Sequence, residues 1–450
     1  MAASTGTPHS SDSLGSSGNG HVPLARFRYL EKTAPGVRGI QDLETEIRER
    51  LSALGLPPES LRNRRIAVSA GSRGIASLAQ IVRAVCGWLK AHGAEPFVFP
   101  SMGTHGGGTA EGQRAILEDY GVRPDYVGVE VRSDMAAVSL GSTPEGFEVF
   151  MDRTAWQADG VVVLNRVKPH TDFSGKIESG LLKMMAVGMG KVEGARQCHL
   201  WSRKYGHERV IRAMSARVLA SGKILCGLAV VENELHEIAA VRAARPEGIV
   251  AQEEDTLKIA RPLVPRLPFS KLDLLIVDEM GKNISGAGMD TKIIGRGVTF
   301  QSGDAHQAPE INLIYVRDLT PESAGNAVGV GLADVMHERL YRKIDLEKMY
   351  LNARTSLNPP VARLPIYLAS DQDALDFALG ALGAPAPEEQ RVTWIRNTLN
   401  LGRVAISERL ARQIEPKAPA NITTNLNGWR LTPDTYSPRF DAAGNLMPIV

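Results

Sequence analysis

The chain has 450 residues, 43% of them hydrophobic, and carries 52 Lys and Arg against 50 Asp and Glu, for a net charge of +2. So even a balance leaves no basic footprint for a polyphosphate, and aromatics at 5% leave no base-stacking surface, so no nucleic-acid partner is expected. Three cysteines (Cys86, Cys198 and Cys226) without CxxC spacing fit a reduced compartment and exclude a four-cysteine metal site. No apolar run approaches the roughly 20 residues that span a bilayer. The expectation is a soluble, cytoplasmic protein with no membrane partner.

At roughly 100–200 residues per domain, the length predicts two or three domains. Residues 1–22 are Ser/Gly-rich without an apolar signal core and read as a disordered tail. Arg64 to Ala70 reads as a strand, followed by a turn at Gly71–Ile75 and a helix to about His92. That helix carries Leu78, Ile81, Val82, Val85 and Leu89 on one face. Glu95 to Pro100 is the next strand. The pattern is βαβ, which implies a parallel sheet with right-handed crossovers. Arg73 then stands at a strand's carboxyl end, either gripping a ligand carboxylate bidentately or closing a structural salt bridge.

The second strand feeds a glycine-rich loop, Gly103 to Gly108, that contains His105. Thr109 is the expected N-cap of the following helix, with Glu111 in its first turn and Gly121 at its end. Backbone N–H groups there suit a phosphate, although any tight loop can use glycines. Residues 125–155 read as β-hairpin material. Val161 to Leu164 is an uninterrupted apolar run, the mark of a strand buried on both faces. Lys168-Pro169-His170 ends it and places His170 just past its carboxyl end, the edge where open α/β sheets bind ligands. His105 alone also reads as an ordinary loop histidine, but His105 and His170 follow different strands at one edge, where two imidazoles can serve as acid and base near neutral pH.

Lys176 to Val187 is predicted helical. Lys183 lies there among Leu181, Leu182, Met184 and Met185, and two readings stay open. Desolvation can turn its amine into a nucleophile, or its stem can cover apolar neighbours while the ammonium stays wet. Gly188, Gly190 and Gly194 allow close backbone approach before His199. Their spacing does not match the dinucleotide fingerprint, which weakens an alternative NAD-dependent oxidoreductase. No HExxH occurs, which argues against a zinc hydrolase.

Further on, Glu208–Ser221 reads as a helix, Ile224–Val231 as a buried strand, Glu237–Ala243 as its return and residues 247–260 as a helix. Pro262, Pro265 and Pro268 mark the expected boundary between an N-terminal α/β catalytic domain (23–266) and a C-terminal α/β domain (267–450). Leu272–Asp278 opens the second domain and runs into a glycine-rich loop bearing Lys282, Asn283 and Asp290. Asn312–Arg317 reads as a strand and Gly325–Val335 as a small-residue helix. Residues 360–366 and 391–406 carry more strand and helix signal, and the last thirty residues, rich in Pro and Asn, are expected to wrap the surface. The predicted fold class is α/β, two lobes with mostly parallel sheets and a cleft between them.

Together GTHGGGT, KPHTDFSG, SGLLK and the later Cys198-His199 resemble the lactate racemase family, enzymes that use a nickel-pincer nucleotide; the resemblance covers roughly residues 60–360. His199 follows Lys183 by 16 positions, matching the family spacing. The resemblance implies a 2-hydroxyacid racemase or epimerase. Lys183 would join the cofactor covalently and His199 would be the one protein ligand to nickel. His105 and His170 would be the two acid/bases. Gly106, Gly107, Gly108, Thr109 and Lys176 would hold the nucleotide. Arg73 would bind the substrate carboxylate, with Lys282 or Lys292 as a further substrate contact. Implied partners are a small 2-hydroxy acid and the cofactor-synthesis enzymes, with a homo-oligomer left open. Lactate-active members carry an acidic residue and Thr before the arginine and Pro after it. This chain has Gly71-Ser72-Arg73-Gly74-Ile75 instead, which points to a 2-hydroxy acid other than lactate. A family member without cofactor or catalysis is the remaining alternative.

Overall fold

Apolar runs flanked by turn residues become the central strands, and amphipathic segments become the helices that cover them. The computed structural model describes residues 21–33, 35–71, 74–171, 173–297, 309–356, 358–415 and 428–447. The expected tail therefore lies outside the described residues except for its last two. His21 and Val22 are held by Asp376, with the Val22 N–H donating to it at 2.9 Å.

The first strand is β1 (Phe27–Lys32). Next come β2 (Arg65–Ala70), β3 (Glu95–Pro100), the hairpin β4 (Ala137–Ser142) and β5 (Glu148–Asp152), then β6 (Gly160–Arg166), β7 (Ile224–Glu232) and β8 (Ile238–Ala244). Strands in the order β3-β2-β6-β7-β8 make a five-stranded sheet. All neighbours in it are parallel except β8, which returns antiparallel beside β7. Val162 and Leu164 of β6 join one core cluster while Val161 and Val163 join the cluster on the opposite face. Helices α1 (Leu43–Ser52) and α2 (Leu78–Ala91) cover the first face. Helix α3 (Ala110–Asp119) follows the glycine-rich loop. On the other face lie α4 (Lys191–Tyr205), α5 (His207–Leu219) and α6 (Ile249–Ala260). Each fully buried aliphatic side chain in such a layer contributes about 1.5–3 kcal/mol.

The remaining strands are β9 (Lys271–Val277), β10 (Glu310–Val316), β11 (Val335–His337), β12 (Ile366–Leu368), β13 (Val392–Ile395), β14 (Arg403–Ser407) and β15 (Trp429–Tyr436). They form an eight-stranded sheet with β1, in the order β12-β11-β10-β9-β13-β14-β1-β15. The first five of that order run parallel and the last three are joined antiparallel. The fold class is the expected one: two α/β lobes built on mostly parallel sheets.

Four local expectations are corrected. β1, assigned by position to the N-terminal domain, pairs with β14 and β15 of the larger sheet, where Phe27 and Leu30 are buried in two different core clusters of that sheet. Strand composition says nothing about which sheet a strand joins. The helix expected from Lys176 begins only at Leu181, since Gly180 is extended (φ 177). Gly325–Val335 is no helix beyond a single turn at Val330–Leu332, because Gly325 and Gly329 take left-handed backbone. Within the Pro- and Asn-rich C-terminal segment, Trp429–Tyr436 is an edge strand, where Pro433 is tolerated. Among the described residues, no helix is long and apolar enough to cross a membrane.

Candidate active site

The carboxyl edge of the five-stranded sheet delivers a loop from each parallel strand: residues 101–109 after β3, 71–77 after β2, 167–180 after β6 and the 233–237 turn after β7. Arg73 lies outside the described residues. Beyond it in the chain, the Ala76 N–H donates to Glu232 at 2.8 Å, and Arg166 pairs with the same carboxylate. Despite its burial, Glu232 is pulled down to about 2, chiefly by its hydrogen bond to His236 and the Arg166 charge.

His170 and Lys183 meet. The Lys183 ammonium contacts Nε2 of His170, and both side chains are half-buried. Neither reading offered for Lys183 describes this fully; its polar end neither lies in an apolar pocket nor simply reaches solvent, but engages an imidazole. The ring of His170 packs on Phe173 (centroids 4.6 Å apart), and Phe173 in turn stacks on His207 at the start of α5 (4.9 Å, 6° between planes). The backbone N–H of His170 donates to Glu178 at 2.6 Å. Glu178 is only 2% exposed and also takes a bond from Arg261, so it pins the loop from below.

Lys183 closes a short helical turn, Leu181–Lys183, that continues as a π-helical turn over Met184–Gly188. Such turns occur often at functional sites. The turn is held from two sides. Asn165, at the end of β6, donates to the Gly180 carbonyl at 2.8 Å, and the Leu182 N–H donates to Glu253 at 2.8 Å. Gly180 needs to be glycine, because a Cβ there would lie 2.4 Å from the Glu253 carboxyl carbon.

The His105 loop rests on the same turn. The Gly103 N–H donates to the Gly188 carbonyl at 3.2 Å, and a Cβ on Gly188 would come within 2.7 Å of the Ser101 carbonyl oxygen. Gly106, Gly107 and Gly108 all have positive φ, and Thr109 caps α3 by accepting from the Gly112 N–H at 3.0 Å, as its position predicts. This loop also touches α4: a Cβ on Gly108 would lie 3.5 Å from Val192, and one on Gly103 3.6 Å from Ala195. Val192, Ala195, His199 and Arg203 share one face of α4 by their i+3 and i+4 spacing. At the far end of that face Arg203 donates to the Ser356 carbonyl of the second lobe at 3.3 Å. His199 is exposed between these two contacts. Its neighbour Cys198 is buried; burial pushes that thiol up, while the Ser202 hydroxyl and the Lys183 charge draw it back.

The second lobe reaches this edge through the loop after β9. Thr291 donates to the Thr171 carbonyl beside His170, and the Lys292 ammonium contacts Ser174. Lys282 is placed differently; its ammonium donates to Gly286 within its own loop at 2.6 Å. Lys176 is exposed, and its N–H donates to Glu208 at 3.0 Å. Gly188 and Gly190 sit in and after the π-helical turn and Gly194 in α4, rather than after a strand, so they form no dinucleotide fingerprint. Among the described residues no three His, Cys, Asp or Glu side chains gather as a metal site. Farther along the interlobe boundary a cleft of about 440 Å³ is lined by Tyr29, His236, Asp278, Trp394 and Arg403, among others; His105, His170, Lys183 and His199 do not line it.

Glu253 gives this site a pH-dependent anchor. Burial pushes its carboxyl up to about 7, against the pull of the Leu182 and Leu181 N–H groups and the Arg212 charge. An unfolded glutamate titrates near 4.3. Between those values folding takes up a proton, so this group's contribution to stability declines as pH rises through the window and is lost above it. Glu253→Gln keeps an acceptor for the Leu182 N–H. It is expected to exceed the wild type in stability by on the order of 3 kcal/mol at pH 8, with the gain shrinking toward pH 5. Denaturant midpoints across that range check it, and a pH-independent difference contradicts it.

A family described as a domain of unknown function (DUF362) matches residues 67–306, more than half of the chain, and the protein belongs to that family. Among solved structures, a protein from Thermotoga maritima is similar at 15% identity and a TM-score of 0.49, covering 71% of this chain and 81% of that one. The lactate racemase apoprotein from Thermoanaerobacterium thermosaccharolyticum is similar at 13% identity and a TM-score of 0.47, covering 82% and 94%. A search of curated proteins finds no match.

Proposed function

We propose that the protein interconverts the enantiomers or epimers of a 2-hydroxy acid, with a nickel-pincer nucleotide held by Lys183 and His199. The observation that carries this reading is the meeting of Lys183 with His170 on a turn that also supports the His105 loop and adjoins the helix of His199. The donor set suits such a group. It asks for one amine and one imidazole from the protein, and here an amine stands at the imidazole-bearing edge, with His199 exposed on the adjoining helix face. When bound, the group supplies a hydride acceptor.

The chain's own residues do the rest. The α-hydrogen of a 2-hydroxy acid is too weakly acidic for simple deprotonation, so loss of configuration proceeds through a flat 2-keto acid. One imidazole takes the hydroxyl proton from one stereoisomer, and the second, from the opposite side, serves the other. His170, kept in place by Glu178 and Phe173, takes the first role; His105, on its glycine loop, takes the second. Arg73 holds the substrate carboxylate. Lys292, beside the His170 loop, is a better-placed second cation than Lys282. Gly106–Thr109 and Lys176 hold the nucleotide phosphate.

The test is a panel of 2-hydroxy acids incubated in D2O with protein co-produced with the cofactor-synthesis enzymes. Interconversion without deuterium at C2 is expected, because the hydrogen leaves and returns as hydride. Full exchange at C2, or no interconversion across the panel, overturns the reading.

A further inference from the structure

One charged side chain is buried where no catalytic role requires it. Lys191, the first residue of α4, is 0% exposed and holds a left-handed φ of 53°, a conformation that costs a non-glycine residue on the order of 1 kcal/mol. Its ammonium lies 2.9 Å from Asp152 of β5, itself 0% exposed, and donates to the Pro100 carbonyl at 2.6 Å and to Gln113 Oε1 at 3.2 Å. Gln113, also 0% exposed, passes the connection on. Its amide donates to the Gly103 carbonyl at 2.9 Å and to the His105 carbonyl at 3.2 Å. Eight residues along the same helix from Lys191 stands His199. A single buried ammonium is therefore tied at one end to the backbone of the His105 loop and at the other to the helix of His199.

We propose that Lys191 and Gln113 are positioning residues that set the His105 imidazole at a fixed distance from the face of α4 carrying His199. A glycine loop with four positive-φ glycines between residues 103 and 108 cannot hold an imidazole in one place by itself, because glycine is free to take many backbone conformations. Two hydrogen bonds from one buried amide to the carbonyls on either side of Thr104 remove that freedom. The amide is oriented by Lys191: an ammonium can only donate, so Gln113 turns Oε1 toward it and the NH2 toward the loop. The inference rests on the reading of His105 as an acid/base, but its first readout needs neither cofactor nor activity.

Gln113→Leu removes both ends of the link while leaving the Lys191–Asp152 pair in place, and Gln113→Asn keeps the amide but withdraws it by one methylene. Each variant is treated with diethyl pyrocarbonate at fixed pH, and the modification rate of every histidine is read by peptide mass, the ten histidines serving as mutual controls. The rate at His105 is expected to change several-fold in both variants, with His170, His199 and His21 unchanged. In cofactor-loaded protein the same variants are expected to lower kcat by up to about 10²-fold, the cost of a misplaced group, with KM and the Lys183 adduct retained. An unchanged His105 rate in a folded variant overturns the proposal. So does a change shared by all histidines, which would mean general loosening. A selective change at His105 with no racemisation in the wild type retains the proposal and removes the functional reading instead.

Discussion

Removal of either imidazole, by His105→Ala or His170→Ala, is expected to lower interconversion by roughly 10²–10⁴-fold, the usual contribution of a positioned acid/base. The two variants differ in their side effects. His170→Ala also removes the imidazole that the Lys183 ammonium contacts and the ring packed on Phe173, so Lys183 is expected to be less firmly placed. His105→Ala leaves that pair intact. Nickel content measured alongside the rates separates the roles. Retained nickel in His105→Ala with lost interconversion fits an acid/base; lost nickel there means that His105, not only His199, is a ligand.

The second large effect is on stability. Lys191→Met leaves the Asp152 carboxylate buried opposite an apolar chain, and removing one partner of a buried pair costs about 3–5 kcal/mol. Asp152 also caps the turn after β5 by accepting from the Thr154 and Ala155 N–H groups at 2.7 and 3.0 Å, so it cannot retreat to solvent without uncapping that turn. Lys191→Met combined with Asp152→Asn keeps the capping oxygen and removes both charges. The double variant is expected to recover most of the loss, since a neutral pair of similar volume is often as stable as the ion pair. Equal destabilisation in single and double variants, by denaturant midpoint, would show that packing rather than charge accounts for the cost.

What the sequence could foretell follows from how local each signal is. Val161–Leu164 announced a central strand because burial on both faces leaves no polar alternation, and Pro169 announced where it stops. The two histidines after β3 and β6 were readable as edge residues because βαβ units put those loops on one side. The partners that hold them were not readable. Glu178 and Glu253 look in sequence like ordinary acidic residues of a turn and a helix, and Lys191 like a lysine after glycines. Their burial depends on residues such as Arg261, Leu182 and Asp152 that are brought near only by the fold. The helix expected from Lys176 failed for the same reason. Good helix formers there are interrupted at Gly180, whose extended backbone packs against Glu253, while Glu178 turns its carboxylate inward to the backbone N–H of His170. The place of β1 in the larger sheet was not readable either, because pairing across more than 370 residues leaves no trace in a six-residue stretch.

Lys183 is the residue on which the account turns, and its chemistry can be weighed. The intact mass of wild-type protein co-produced with the cofactor-synthesis enzymes is expected to exceed that of the bare chain by one nucleotide adduct, with nickel present, and Lys183→Ala is expected to show the bare mass alone. A wild-type protein that carries no added mass under those conditions, or an adduct that persists in Lys183→Ala, contradicts it.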